Sequence, residues 1–131
     1  MIETRQVYLS STLNDLQDER AAVRAALQHK CLVIESYSAD ERTVRESCLA
    51  DVAKCDLYIG ILGLRYGHCP DGDLSITELE FDEAVAGKLP QLIFIKKGSI
   101  DQKWIDAVSK ESPPERIEAF IKKVKTRAVE F

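Results

Sequence analysis

Three short stretches of this chain combine residue types that bind or break polar bonds. The first is Ser10-Ser11-Thr12, directly after the apolar Val7-Tyr8-Leu9. Hydroxyls and free backbone N–H groups at a strand-to-helix junction suit a phosphate. The second, Gly63-Leu64-Arg65-Tyr66-Gly67, offers two glycines for close backbone approach, a guanidinium to pair with phosphate and a ring to stack on a base or nicotinamide. The third is the acidic run Glu78-Leu79-Glu80-Phe81-Asp82-Glu83. A glutamate opening a helix beside a ligand crevice can stabilise an oxocarbenium ion or act as a nucleophile.

Each stretch also has a purely structural reading. Thr12-x-x-Asp15, Thr43-x-x-Glu46, Ser75-x-x-Glu78, Thr77-x-x-Glu80 and Ser112-x-x-Glu115 all have capping-box spacing. A glutamate three residues after Ser or Thr is therefore weak evidence of catalysis in this sequence. The Gly63–Gly67 stretch has the alternative reading of a turn whose tyrosine closes an edge of the core, although its length and its place at the predicted site favour function. Glu35, after a second apolar run, either lines the same crevice or is solvated. Trp104 reads as a packing anchor.

Other chemistries lack their residues. There is no GxGxxG and no GxxxxGK[ST], so dinucleotide dehydrogenase and P-loop readings have no support. Cys31, Cys48, Cys55 and Cys69 form no CxxC, and His29 and His68 complete no zinc spacing. No metal or other cofactor is expected, and the cysteines read as free thiols in a reducing cytoplasm. Net charge is −4 with acids and bases interleaved, so the basic stripe of a nucleic-acid binder is missing. Lys122-Lys123-Val124-Lys125 reads as the solvated face of a last helix. MIETRQVYL is not a signal peptide, and no apolar run approaches the roughly 20 residues of a membrane span. The chain is expected to be cytoplasmic, without membrane contact.

The elements that position these residues alternate between strand and helix. The 131 residues suffice for one core, and at 45% hydrophobic and 31% charged the composition is that of a globular domain. Val7–Leu9 opens a strand, and a helix follows with Leu16, Val23, Ala26 and Leu27 on one face and Asp15, Asp18 and Glu19 near its positive end. Cys31–Ile34 is a second strand. Thr43–Lys54 is a helix with Val44, Cys48, Leu49 and Val52 at helical spacing. Leu57–Leu62 is apolar throughout, as a strand buried on both faces should be. A helix over Ile76–Ala86, a strand over Leu92–Ile95, a helix from the Ser112-Pro113-Pro114-Glu115 start through Lys125, and a strand from Ala128 complete the pattern.

Alternation of this kind predicts an α/β, flavodoxin-like three-layer sandwich with a five-stranded parallel sheet in the order 2-1-3-4-5. Ligands of such sheets bind beyond the carboxyl ends of the strands where the order reverses. That rule brings Ser10–Thr12 and Gly63–Gly67 side by side. Residues 1–131 read as a single domain. The chain ends inside an apparent strand, as an N-terminal domain excised from a larger protein would.

The motifs resemble a known family. Val7-Tyr8-Leu9-Ser10-Ser11-Thr12, Asp15-Leu16, Glu19-Arg20, Cys55-Asp56-Leu57-Tyr58-Ile59-Gly60, Gly63-x-Arg65-Tyr66-Gly67 and Thr77-Glu78-Leu79-Glu80-Phe81-x-x-Ala84 are similar to domain-of-unknown-function family 4062, over roughly residues 5–96. The resemblance implies a TIR-like domain at the N-terminus of a signalling or defence protein that carries a STAND-type NTPase module. The wider superfamily includes TIR domains and nucleoside 2-deoxyribosyltransferases, which attack an N-glycosidic bond with a glutamate. Glu80, Ala84, Gly87, Lys88 and Pro90 look similar to the transferase pattern, with Asp82 in place of a usual Gly and Leu89 inserted before Pro90.

Two functions follow from the resemblance. In one, an effector cleaves the N-glycosidic bond of NAD or a related nucleotide, with Glu80 as the catalytic carboxylate and Glu78 as the alternate. Ser10, Ser11, Thr12, Gly63, Arg65 and Tyr66 then hold the nucleotide. In the other, a non-catalytic module self-associates and relays activation from the attached NTPase.

Overall fold

The computed structural model describes residues 5–13, 15–35, 41–70, 72–97 and 114–131, with side chains in the second helix from residue 46 onward. Its elements run β1 (Arg5–Ser10), α1 (Gln17–Leu27), β2 (Cys31–Glu35), α2 (Glu41–Lys54), β3 (Leu57–Leu62), α3 (Ile76–Ala86) and β4 (Gln91–Ile95). After them come α4 (Pro114–Val124), a 3-10 turn (Lys125–Arg127) and β5 (Ala128–Glu130). The five strands form one sheet in the order β2-β1-β3-β4-β5, and every pairing is parallel. The α/β sandwich and its strand order are as the alternation predicts. Trp104, Ser112 and the side chain of Thr43 lie outside the described residues.

Strand periodicity divides the core between the two faces of the sheet. Val7, Leu9, Ile59 and Ile61 pack on one face with Leu16, and Val23, Leu27 and Phe94 close round them. That face is covered by α1, although Ala26, expected on its buried stripe, is exposed. Tyr8, Tyr58, Ile93 and Ile95 point to the other face and meet Val52, Phe81, Ala84, Ile117, Phe120 and Val124 from α2, α3 and α4. β3 is buried along almost its whole length, as its unbroken apolar run requires. At Gly60 a Cβ would stand 3.0 Å from the Tyr58 ring and 3.1 Å from Ile93, so only glycine lets that ring lie over the strand.

Helix starts differ in how they are capped. Ser75, with extended backbone, caps α3 by accepting the Glu78 N–H at 3.1 Å. α1 begins after Leu16 with no side-chain cap. Thr12 and Asp15 therefore do not form the expected cap: the Thr12 hydroxyl donates to Asp15 Oδ1 in the turn before the helix. Asp18 and Glu19 do occupy the first turn, at the positive end of the dipole.

Candidate functional site

β1 and β3 are neighbours and end at the same edge of the sheet, with Ser10 in register with Gly60. The β1–α1 turn and the β3–α3 loop lie against each other there. Gly67 adopts φ +97°, and a Cβ on it would come within 3.0 Å of the Thr12 methyl. A side chain at Gly67 would be strained on both counts. Gly63 packs on Asp15 and Leu16, each 3.4 Å from where a Cβ would stand. The two predicted stretches thus meet as the strand order requires.

Glu80 lies beneath this junction. It is two residues beyond the capped turn of α3 and points at the sheet, with 0% exposure. Ser10 Oγ donates to its Oε1 at 2.8 Å, and the Tyr8 hydroxyl donates to Oε2. Cys48 of α2 is hydrogen-bonded to it as well, and Tyr58 is hydrogen-bonded to Ser10. The Thr77–Glu80 capping box is not formed, because this carboxylate is spent on the sheet. Burial pushes the Glu80 pKa up to about 7, against the pull of Tyr8, Ser10, Cys48 and Arg20. Burial and the neighbouring Glu80 also raise the Tyr8 and Tyr58 hydroxyls well above the usual phenol value. The result is a carboxyl group among phenols, able to take or give up a proton near neutral pH.

Glu78 sits in different company. Its carboxylate accepts from the Tyr66 hydroxyl at 2.7 Å and from Lys123 Nζ of α4 at 2.9 Å. Lys123 also reaches Asp82 at 2.6 Å. Burial works against the Lys123 ammonium, but Asp82 and Glu78 outweigh it and hold its pKa above the usual value. Lys123 is therefore more than part of a solvated face. Tyr66 is only 4% exposed, with Phe120 edge-on at 6.3 Å and the Arg116 guanidinium 5.9 Å from the ring centroid. The expected open stacking face is instead a core contact, and burial followed by the Glu78 hydrogen bond raises its pKa.

The remaining candidates are distributed around the turn. Ser11 is buried; its hydroxyl donates to the Thr12 carbonyl at 2.7 Å and accepts from Arg20 at 2.8 Å. Thr12 and Arg65 are half-buried. Glu35 neither lines an open crevice nor is simply solvated, since it pairs with Arg20 at 3.0 Å and Arg24 at 2.6 Å.

Sequence reasoning missed Tyr8 and Arg20 as members of the site. Tyr8 was legible as an inward strand residue with a hydroxyl needing a partner. Arg20 was legible only as an arginine one turn into α1, a place where exposure is usual.

Comparison with known proteins settles kinship. The family model described as "Domain of unknown function (DUF4062)" matches residues 6–131. The chain belongs to the DUF4062 family. The match of this DUF4062 domain extends past the motifs and includes α4 and β5. No curated protein matches it. Among solved structures, the Clostridium botulinum CMP N-glycosidase BcmB is similar, with a TM-score of 0.46 and 12% identity over 93% of this chain and 99% of that chain. No helix among the described residues is long and apolar enough to cross a membrane.

Proposed function

We propose that this DUF4062 domain cleaves the N-glycosidic bond of NAD or a related nucleotide, with Glu80 as the catalytic carboxylate. The observation that carries the reading is the Glu80 carboxyl itself: buried at the strand-order switch, oriented by Tyr8 and Ser10, and poised to ionise near neutral pH. In its ionised form it attacks or stabilises the ribosyl carbon as the C–N bond breaks and the electron pair leaves with the base. Water then completes hydrolysis. Ser11, Thr12, Gly63 and Arg65 hold the phosphates. Tyr66 and Glu78 brace the loop from below, so Glu78 is a supporting residue and Glu80 the reactive one.

Complete burial of Glu80 supports a second reading. A carboxyl with 0% exposure, under a turn that packs directly on the facing loop, also suits a module whose polar core fixes its shape. Such a domain works by self-association and by relaying signals from an attached NTPase module in a signalling or defence protein. The two readings combine if assembly opens the turn over Glu80.

The test is NAD and nucleotide cleavage by the protein at concentrations that favour its assembly, comparing wild type, Glu80→Gln and Glu78→Gln. Loss of the charge at Glu80 should slow cleavage by about a hundredfold or more, whereas Glu78→Gln should change it only a few-fold. Because the ionised form reacts, the wild-type rate should rise as pH passes through about 7. Full activity in Glu80→Gln would overturn the catalytic assignment. A wild type that cleaves nothing would leave the association module standing.

A further inference from the structure

Arg20 is a charged residue with 2% exposure, in the first turns of a helix that covers the face of the sheet opposite Glu80. A guanidinium in such a place must be paired, since an uncompensated buried charge is strongly destabilising. Its Nη1 donates to Ser11 Oγ at 2.8 Å and its Nη2 to Glu35 Oε1 at 3.0 Å. Glu35, at the end of β2, is held on its other oxygen by Arg24. Arg20 thus ties the β1–α1 turn to the end of a neighbouring strand.

That turn is the same one that presents Ser10 to Glu80. The groups facing Glu80 are Tyr8 from β1, Tyr58 from β3, Cys48 from α2 and, through the turn, Arg20 from α1. The Tyr8 phenol, the Ser10 hydroxyl and the Cys48 thiol supply hydrogen bonds to Glu80, and Tyr58 bonds Ser10; Arg20 supplies full positive charge. We propose that Arg20, clamped by Glu35, is the positioning residue for Glu80: it braces the Ser10–Thr12 turn from the far face of the sheet and favours the ionised carboxylate, while Glu35 attenuates its field.

The inference rests on the reading of Glu80 as the centre of the site, and its test reads protonation rather than turnover. The carboxyl carbon of Glu80 is followed by NMR against pH in the folded protein, its signal assigned by loss in Glu80→Gln. The wild-type midpoint is expected near 7. Arg20→Gln should raise it by about half a unit or more, and Arg20→Lys, which keeps the charge, should return most of that shift. Glu35→Gln should move it the opposite way, downward, because the cation is no longer offset.

A midpoint that ignores Arg20→Gln in a folded protein would overturn the proposal. If Arg20→Gln does not fold, Glu35→Gln decides alone, and a midpoint that stays or rises overturns it. A wild type without cleavage activity leaves this titration unaffected. A titration that ignores both substitutions leaves the cleavage reading standing.

Discussion

Glu78 and Glu80 stand two residues apart on α3, both sit three residues after a Ser or Thr, and both are buried. Glu78 faces the outer helix layer, where Lys123 and the Tyr66 hydroxyl meet it. Glu80 faces the sheet and meets the hydroxyls of Tyr8 and Ser10, with burial raising its pKa to about 7. A 3.6-residue period turns positions two apart by about 200°, so neighbours in sequence enter opposite environments. Glu78 thus has a cation at hydrogen-bond distance. Glu80 has neutral donors in a desolvated pocket, and its carboxyl titrates near 7.

The largest expected effect is the pH dependence of stability that Glu80 imposes. The folded pKa of Glu80 is raised above its ordinary 4.5, so the folded state holds the proton more tightly than the unfolded state. Its contribution is fully present below about 4.5 and is lost as pH rises through about 7. That rise corresponds to about 3 kcal/mol. Denaturant unfolding from pH 4.5 to 8 should therefore show wild type losing stability relative to Glu80→Gln, on that order. Parallel profiles would mean that burial does not raise the Glu80 pKa, and the contrast would collapse.

Tyr8→Phe comes next. It leaves Glu80 Oε2 without the Tyr8 donor in a buried site, which should cost about 1–3 kcal/mol. The loss should be greater at pH 8 than at pH 5, because the charged form needs the donor more. Equal losses at the two pH values would assign Tyr8 to packing alone.

The smallest effect belongs to the other carboxylate's partner. Lys123 is 42% exposed at its side chain, so solvent screens its pairs with Glu78 and Asp82. Lys123→Ala should lower stability by no more than about 1 kcal/mol, and by less in high salt. A loss as large as that of Tyr8→Phe would show that the outer cluster, too, is strongly desolvated.

The architecture was legible in the sequence because it rests on local patterns. The apolar run Leu57–Leu62, the 3.6-period helices and the short connections specify alternating strands and helices, and the hand of the crossovers restricts the order. The boundaries of α3 coincide with those expected from its pattern, and its Ser75 cap is a local signal that survives folding. The meeting of Ser10–Thr12 with Gly63–Gly67 follows from topology alone.

Tertiary structure decided which of several equivalent residues would do what. Several Ser/Thr-x-x-acid spacings look alike in sequence, yet Ser75 caps a helix, Thr12 pairs within a turn, and Thr77 leaves Glu80 to the sheet. Sequence left Tyr66 open between a stacking face and a core edge and gave no sign that Arg20 is buried; packing on Phe120 decides the first, and pairing with Ser11 and Glu35 accompanies the second. Hydrophobic periodicity encodes which face a residue takes. The dielectric around a carboxylate is instead the joint product of residues far apart in the chain, here Tyr8, Ser10, Cys48 and Arg20 around Glu80. The chain alone therefore determined where the Ser10–Thr12 and Gly63–Gly67 stretches would meet, and the assembled layers determined which glutamate faces a cation and which faces neutral hydroxyls.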